Sequence, residues 1–347
     1  MANDPIRVGM IGAGANQRLR HIPGLQAIDG VEVVAVCNRS EESGQAVADE
    51  FGIASVTTDV DALLSDKSID AISIGTWPYR HREYTVRALE AGKHVLCEAR
   101  MAMDASEARE MLAASQAHPD LVAQIVPGPF DFKSHATIER LVREGALGEL
   151  REIHATFLNG AGLGDNPLHW RDRRDYSGTN TMTMGIIAEV IHRWTGPTER
   201  VVADAATYVG SRIDAESGEA VAIDVPDSIG VMARMANGAR ATYRHSTVTA
   251  GGDPASNGIS LYGTAATLHW RPGESMTFAT HGEDQQPLEP DEGTSHGWQV
   301  EQDFVDSIRD GKPVTLTNFE DGVAYMQFTE AVYRSWSEGR SVDLSEL

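Results

Sequence analysis

Hydrophobic and polar positions repeat with two different periods over the first third of the chain. Short runs rich in β-branched residues predict strands, and the longer segments between them, with apolar residues three and four positions apart, predict helices. This alternation is typical of a parallel sheet covered by helices, so we expect one doubly wound α/β domain over residues 1–126. The clearest strands are Ile6–Ile11, Val31–Cys37, Ala71–Ile74, His94–Cys97 and 121–126, and the clearest helices are 80–91 and Ala105–Ala117.

A different pattern begins where Pro127, Gly128 and Pro129 interrupt the alternation. Further on, the dipeptide Asn237-Gly238 is typical of a two-residue type I′ hairpin, in which both residues need positive φ, so its flanking strands should pair antiparallel. We therefore predict a second, α+β domain over residues 127–347. Its predicted elements are a helix at 132–144, strands at 151–157, 229–236, 239–247, 259–262 and 267–270, helices at 299–309 and 319–337, and acidic surface loops at 211–227 and 281–293.

The charge of the chain limits which partners it can bind. Its 347 residues carry 51 acidic and 29 basic side chains, a net charge of −22. Nucleic acid and anionic lipid need clustered Lys and Arg, so the charge indicates a small-molecule partner instead. No apolar run approaches the ~20 residues that cross a bilayer, and the start of the chain lacks a secretory profile. With only Cys37 and Cys97, we expect a cytoplasmic protein without a bound metal.

A glycine-rich turn follows the first predicted strand. Gly12 would permit the tight turn, and Gly14 would let a pyrophosphate approach the N–H groups that begin the next helix, with Ala15 and Asn16 completing the loop. Gln17 occupies the third glycine position of this motif, and we expect its side chain to point away from the neighbouring strand. The order of strand, turn and helix predicts a dinucleotide-binding loop.

The end of the second predicted strand bears on which nicotinamide coenzyme binds. NAD-binding domains usually place Asp or Glu here to accept the ribose hydroxyls, whereas this chain has Asn38, Arg39 and Ser40. Asn38 carries no charge to repel a 2′-phosphate, and Arg39 with Ser40 can bind one, so we expect NADP in preference to NAD. The alternative is that Arg39 is a solvated residue stacking on adenine, which leaves the choice open.

Several stretches together resemble the Gfo/Idh/MocA oxidoreductases over nearly the whole chain. They are the glycine loop, the run Glu90-Ala-Gly-Lys-His-Val-Leu-Cys-Glu98, the tract from His169-Trp170-Arg171 to His192, and the run 330–340. The resemblance implies a Rossmann domain, then an α/β domain with a large, mostly antiparallel open sheet. It also implies a nicotinamide cofactor, a sugar, polyol or related substrate, and a homodimer or homotetramer paired through the second-domain sheet.

The chain keeps only some of the residues that the family has at its active site. The family usually has Lys and Pro after the glutamate, whereas this chain reads Glu98-Ala99-Arg100. Glu98 keeps its place beside the cofactor, but the Lys that assists proton transfer is missing. Arg100, whose pKa exceeds ~12, cannot replace it as an acid or base, although it can hold a carboxylate or phosphate.

His192 is the predicted proton-exchanging group. The family commonly has an Asp four residues before a His on one helix, and here Ala188 takes that position while Glu189 lies three residues before His192. Residues at this spacing share a helix face, so Glu189 is expected to bond to His192 and orient it as a base near pH 7. The alternative is that the contact between Glu189 and His192 only stabilises the helix.

Other positions are assigned through the same resemblance. Thr76 and His81 match the family's loop beside the nicotinamide, in which Trp77 and Pro78 depart from the family's residues. Trp77 is still assigned to this loop, and Trp170 and Arg171 lie where relatives reach towards substrate. Trp77 is expected to line the substrate pocket as well, or alternatively to pack at the strand end.

These residues predict an NAD(P)-dependent oxidoreductase. It would transfer hydride between the coenzyme and a hydroxyl or carbonyl of a sugar-like, polyol or sugar-acid molecule. Two alternatives stay open. One is an enzyme that returns the hydride within each cycle and so acts as a lyase, epimerase or glycosidase. The other is a nucleotide-binding sensor that has lost activity.

Overall fold

The computed structural model describes residues 5–251, 256–273, 275–294 and 296–347. They form two units, of which one runs to Pro127 and takes in Gln299–Val323, and the other comprises Gly128–Trp298 and Ala324–Leu347. The prediction that 127–347 forms one continuous second domain is therefore wrong for Gln299–Val323. This segment returns to the first unit because its helix buries side chains there, and Arg309 also donates to the carbonyl of Asp29.

The first unit has a parallel sheet whose strand order reverses near its middle. The sheet order is β3-β2-β1-β4-β5-β6, and every neighbouring pair is parallel. Its strands are β1 (Ile6–Ile11), β2 (Val31–Cys37), β3 (Ser55–Thr57), β4 (Ala71–Ile74), β5 (His94–Cys97) and β6 (Ala123–Ile125), and its helices include α1 (Ile22–Gln26), α2 (Glu41–Phe51), α3 (Val60–Ser65), α4 (His81–Glu90) and α5 (Ala105–Ala117). This order confirms the predicted doubly wound domain, in which ligands bind where the order reverses.

Local sequence explains why these elements form. β1 and β4 are buried along nearly their whole length, as strands covered by helices on both faces must be. Ser40, Asp59 and Asp104 begin α2, α3 and α5, and each side chain accepts a hydrogen bond from a backbone N–H of the first turn. Strand β3 was not predicted, because three residues are too few to show a period.

The second unit contains a large, mostly antiparallel sheet. Its order is β16-β15-β14-β13-β7-β12-β11-β8-β17, with β7 and β12 parallel and the other neighbours antiparallel. The strands of this unit are β7 (Leu150–Leu158), β8 (Thr198–Ala206), β9 (Ser211–Ile213), β10 (Ala220–Ala222), β11 (Ser228–Met235), β12 (Arg240–Ser246), β13 (Gly258–Gly263), β14 (Ala266–Arg271), β15 (Ser275–Thr280), β16 (Gln286–Leu288) and β17 (Val342–Asp343). The large open sheet implied by the resemblance is thus confirmed.

The two acidic stretches predicted as loops contain strands. β9 and β10 pair with each other within 211–227, and β16 extends the large sheet within 281–293. Each of these strands has three residues and largely exposed side chains, so no hydrophobic alternation marks it in the sequence.

The hairpin between β11 and β12 is antiparallel as predicted, but its turn differs. Gly238 has a φ of +86°, whereas Asn237 has no positive φ, so the turn is not type I′. Hydrogen bonds from Gly238 N–H to Met235 and from Met235 N–H to Ala239 close a three-residue loop. The side chain of Asn237 donates to the carbonyl of Thr195, and this tertiary contact accompanies the longer loop.

One face of the large sheet is covered by helical residues of the second unit. The second unit contains α6 (His135–Arg143), α7 (Arg174–Ser177) and α8 (Met184–Thr195), the first unit contains α9 (Val300–Asp310), and α10 (Phe319–Glu338) begins in the first unit and continues in the second. Ile187 of α8 and Phe328 of α10 join the sheet residues Ile153, Val231 and Tyr243 in one buried core. None of the described helices combines the length and the apolarity that a membrane span requires.

Candidate functional site

A cavity of about 550 Å³ opens at the carboxyl ends of β1, β2 and β4, where the strand order of the first unit reverses. Its walls include both predicted loop glycines, the residues after β2, and the residues after β4. Among the residues assigned from sequence, the structure brings together here Gly12, Gly14, Asn38, Arg39, Thr76 and Trp77.

The glycine loop leaves its backbone open to this cavity. Gly12 has a φ of +76°, and a Cβ there would lie 2.9 Å from the backbone nitrogen of Thr76, so a side chain is excluded. A Cβ at Gly14 would meet nothing closer than 3.9 Å. The space beside Gly14 therefore suits a group with several acceptor oxygens, such as a diphosphate, approaching backbone N–H groups at the start of the helical segment.

Gln17 occupies the third glycine position of the motif, and the absence of a side chain on Gly75 compensates for its size. Gln17 is buried, and its Oε1 accepts a hydrogen bond of 3.0 Å from Ser73 of β4. A Cβ on Gly75 would lie 2.3 Å from Cγ of Gln17. The prediction that Gln17 points away from the neighbouring strand is therefore wrong: its side chain packs towards β4 because Gly75 leaves room for it.

The residues after β2 have partners that the sequence did not reveal. The side-chain oxygen of Asn38 accepts a 2.8 Å hydrogen bond from the backbone N–H of Ala13, which holds the glycine loop against β2. Arg39 is exposed at the cavity wall. Ser40 caps α2 by accepting from the N–H of Ser43, and Ser43 rather than Ser40 lines the cavity. Ser40 therefore acts as a helix cap, whereas the sequence predicted that it would contact the coenzyme directly.

Four other residues assigned to cofactor binding lie outside the cavity lining, namely Ala15, Asn16, His81 and Glu98. Ala15 is exposed, and Asn16 donates its side-chain amide to Glu98 after β5. Glu98 is half-buried. The contact between Asn16 and Glu98 joins the glycine loop to the end of β5.

His81 lies beneath the loops and not at a surface. It is fully buried, with Nδ1 2.8 Å from the carbonyl oxygen of Arg100 and Nε2 2.8 Å from that of Thr76. Burial lowers its pKa. His81 therefore ties the segment after β4 to the segment after β5. Arg100 is only 4% exposed, so its guanidinium offers little surface to a ligand.

In the second unit, the predicted bond between Glu189 and His192 is not formed. The two oxygens of the Glu189 carboxylate instead face Arg193, one turn further along α8, and the backbone N–H of Gly128. Arg193 also donates to both oxygens of Asp131, at 3.0 and 2.9 Å. A charged donor at the i,i+4 position, held from the other side by Asp131, outcompetes a neutral imidazole at i,i+3.

His192 has a different environment from the one predicted. Its Nε2 lies 3.0 Å from the hydroxyl oxygen of Thr198, and its ring packs edge-on against Phe328. The buried Nδ1 has no hydrogen-bond partner within the described part of the chain. Removal from water lowers the pKa of His192 to about 4, so the ring is neutral at pH 7.

Trp170 and Arg171 lie beside a second cavity, of about 340 Å³, beyond the carboxyl ends of β7 and β12. Arg171 lines this cavity, and its guanidinium carbon lies 4.2 Å from the centre of the Trp170 ring, a cation–π contact. The largely buried side chain of Arg212 donates to the carbonyls of Gly162 and Asn166 and so fixes one wall. Arg212 has no sequence signal of its own.

Some residues of the first cavity were not assigned from the sequence. Thr58, Val60 and Tyr84 contribute to its lining, and Gly75 shapes it through Gln17. Of these residues, only Gly75 could have been identified from the sequence, because a glycine directly after a predicted strand indicates a turn or a close approach. For metals, the described residues contain no group of three or more His, Cys, Asp or Glu arranged to hold an ion.

Two family models match the chain. One, described as an oxidoreductase family with an NAD-binding Rossmann fold, matches residues 6–124, and the other, a GFO/IDH/MocA C-terminal domain, matches residues 135–269. Together they cover well over half of the sequence.

Individual proteins resemble the chain over nearly all of its length or over about half of it. It is 29% identical over 365 residues to a 1,5-anhydro-D-fructose reductase of Ensifer adhaerens, covering 97% of this chain and 98% of that protein. It is 34% identical to a D-glucoside 3-dehydrogenase of Escherichia coli, over 47% of this chain and 46% of that protein. A solved levoglucosan dehydrogenase complex with NADH and L-sorbose has a TM-score of 0.85 at 21% identity, over 98% of both chains, which shows a common fold.

Proposed function

The chain belongs to the Gfo/Idh/MocA oxidoreductase family, and from this premise we propose that it transfers a hydride between a nicotinamide coenzyme and a hydroxyl or carbonyl of a sugar-like small molecule. The observation that carries the proposal is the cavity at the strand-order reversal, with an open backbone at Gly14. The names of its relatives, an anhydrofructose reductase and a glucoside dehydrogenase, support a sugar, polyol or sugar acid as substrate.

The residues of the first cavity fit such a coenzyme. Gly12 and Gly14 carry no side chain and would let the diphosphate approach the N–H groups that begin the helical segment, with Asn38 holding the loop in place through Ala13. Thr76 and Trp77 would line the nicotinamide end. The bound coenzyme supplies the hydride chemistry, and the protein supplies binding and orientation.

The coenzyme is proposed to be NADP in preference to NAD. Arg39 is an exposed cation at the cavity wall, next to the neutral Asn38. A guanidinium recognises a phosphate through charge-assisted hydrogen bonds, whereas no carboxylate at position 38 repels one. Ser43, at the first turn of α2, replaces Ser40 as the hydroxyl facing this space.

The substrate's proton is proposed to pass to Nδ1 of His192. In the tautomer whose Nε2–H donates to Thr198, Nδ1 keeps its lone pair, and the lowered pKa keeps the ring neutral. Glu189 has no part in this step, because it pairs with Arg193. Arg171, backed by Trp170, is proposed to bind a hydroxyl or acid group of the substrate.

The assembly and compartment are also proposals. A homodimer or homotetramer through the outer face of the large sheet is supported by exposed apolar residues there. A reducing cytoplasm is supported by Cys37 and Cys97, which are buried free thiols.

The proposal is tested by titrating the purified protein with NADPH and NADH and then assaying a panel of sugars, polyols and sugar acids. We expect binding of NADPH and a substrate-dependent change in nicotinamide absorbance. Product formed without that change would indicate that hydride returns within each cycle, an alternative that the missing Lys after Glu98 favours. Binding without any turnover would indicate a sensor.

A further inference from the structure

Four polar side chains from separate parts of the sequence meet beside the glycine loop of the first unit. Asn16 belongs to that loop, His21 lies one turn later, Glu98 follows β5, and Glu301 lies in the first turn of α9. Nδ1 of His21 is 2.6 Å from Oε1 of Glu301, and Nε2 is 3.0 Å from Oε1 of Glu98. The amide of Asn16 donates to the same Glu98 oxygen.

Both ring nitrogens of His21 therefore face a carboxylate. An ionised carboxylate only accepts hydrogen bonds, so both contacts are satisfied when each nitrogen carries a hydrogen, which is the charged imidazolium. Burial of His21 opposes that charge, but the hydrogen bonds and charges of Glu301 and Glu98 outweigh burial and raise its pKa to about 9. Burial likewise opposes ionisation of Glu98, yet the contact with His21 lowers its pKa.

The packing around Glu301 leaves room for its carboxyl group. A Cβ on Gly24 of α1 would lie 2.9 Å from Cδ and 3.0 Å from Oε2 of Glu301. Glu301 is buried, and a buried carboxylate is costly unless it is paired. The contact with His21 thus belongs to the packing of α9 against α1.

We propose that His21, kept charged by Glu301, is a positioning residue that holds Glu98 against Asn16 and so sets how tightly the glycine loop binds the coenzyme. The inference rests on the coenzyme binding proposed above. A neutral ring in this place would leave the carboxylates of Glu98 and Glu301 facing each other across an uncharged group. Glu98 and Asn16 would then lose the cation that fixes them.

The geometry predicts a pH dependence of defined sign. The pKa of His21 in the folded protein, about 9, is above its ordinary value of 6.5, so the stabilisation is complete below pH 6.5 and is lost as the pH rises through about 9. Glu98 faces His21 from the end of β5 and Glu301 faces it from α9, while Glu98 also feels the ring of His81. Coenzyme affinity should weaken over the same alkaline range.

The test compares the wild type with His21→Gln and Glu301→Gln, and with Asp306→Asn as a charge-neutralising control elsewhere on α9. The dissociation constant for NADPH is measured by fluorescence between about pH 6.5 and 10, and circular dichroism checks the fold. At neutral pH we expect each site variant to bind about 10-fold more weakly, the effect of losing one charge-assisted hydrogen bond. Glu301→Gln should move the alkaline loss of affinity to lower pH, His21→Gln should abolish it, and the control should match the wild type.

The outcomes separate this inference from the proposed function. A wild type that binds neither NADPH nor NADH contradicts both. If the wild type binds the coenzyme but Glu301→Gln loses NADPH affinity at the same alkaline pH as the wild type, only the positioning role of His21 is contradicted. Nitrogen NMR of the wild type decides the matter if the variants do not fold: at about pH 7.5 both ring nitrogens of His21 should carry hydrogens, and a neutral ring overturns the inference.

Discussion

Histidine residues of the second unit show how burial changes the chemistry of a single side chain. His245 is buried between the rings of Phe157 and Tyr243, and neither ring nitrogen has a hydrogen-bond partner among the residues described, so burial lowers its pKa to about 3. His192 differs because Thr198 holds one of its nitrogens. An oriented ring with one available lone pair is what proton transfer requires, and His245 lacks the orienting partner.

Replacing His192 with Asn tests its proposed role. Loss of a positioned general base typically costs ~100-fold or more in rate, so we expect kcat to fall by about that factor while the dissociation constant for NADPH stays unchanged. Steady-state kinetics and coenzyme titration measure the two quantities. As a matched change, His245→Asn should leave kcat near that of the wild type wherever it folds. An unchanged kcat in His192→Asn would show that the ring only packs against Phe328.

Arg39 provides the test of coenzyme choice. Removing a charge-assisted phosphate contact by Arg39→Ala should raise the dissociation constant for NADPH by about 10-fold or more and change that for NADH much less. Arg82, an exposed arginine of α4 paired with Glu110, provides the control variant Arg82→Ala, which should change neither. Equal effects of Arg39→Ala on both coenzymes would support the alternative that Arg39 stacks on adenine.

At the scale of the element, α8 is held by a buried ion cluster. Arg193 pairs with Glu189 on its own helix and with Asp131 before α6, and Asp131 also accepts a 3.1 Å hydrogen bond from the indole N–H of Trp194. Asp131 and Glu189 are almost fully buried. Their carboxylates are tolerated there because one guanidinium serves both of them.

Arg193→Met should therefore destabilise the protein strongly. It leaves two buried carboxylates without their cation, which typically costs about 3–5 kcal/mol in the free energy of unfolding. The exposed pair of Arg151 with Glu149 gives the control Arg151→Met, expected to cost less than about 1 kcal/mol. Urea denaturation measures both values, and similar midpoints for the two variants would contradict this account of the cluster.

At the scale of the whole molecule, the large sheet has an outer face with an apolar centre. Met232 of β11 and Val202 of β8 are register partners, and they are 63% and 42% exposed. Arg200, Arg234 and Arg240 surround them, and all belong to one depression of about 440 Å³. An apolar centre with a charged rim is the composition of a protein interface, which supports pairing of two copies here.

Met232→Glu should weaken that pairing. Two copies related by a twofold axis would bring the new carboxylates close together in an apolar setting, so we expect a shift from dimer or tetramer to monomer. Light scattering after gel filtration measures the mass. Tyr208→Glu, at a site that is more exposed than Met232 and lies outside the large sheet, is the control and should keep the wild-type mass. A wild type that is already monomeric would contradict the proposed assembly.

The sequence by itself determined the features that depend on near neighbours in the chain. Predicted strands of the first unit match β1, β2, β4 and β5 residue for residue, because strands buried on both faces read as apolar runs. The positive φ of Gly12 also follows locally, from the strand, turn and helix around it. The same reasoning missed β9, β10 and β16, whose side chains bury too little surface to leave a pattern.

Only the tertiary structure decided which partner each polar side chain receives. Glu189 pairs with Arg193 and not with His192, because Asp131 holds the guanidinium from the other side. The side chain of Gln17 packs towards β4 because Gly75 leaves space for it. His21 meets Glu301 although most of the chain separates them. Charge and hydrogen-bond pairing act over a few ångströms in space and take no account of distance along the chain, so these contacts exist only once the fold has brought the groups together.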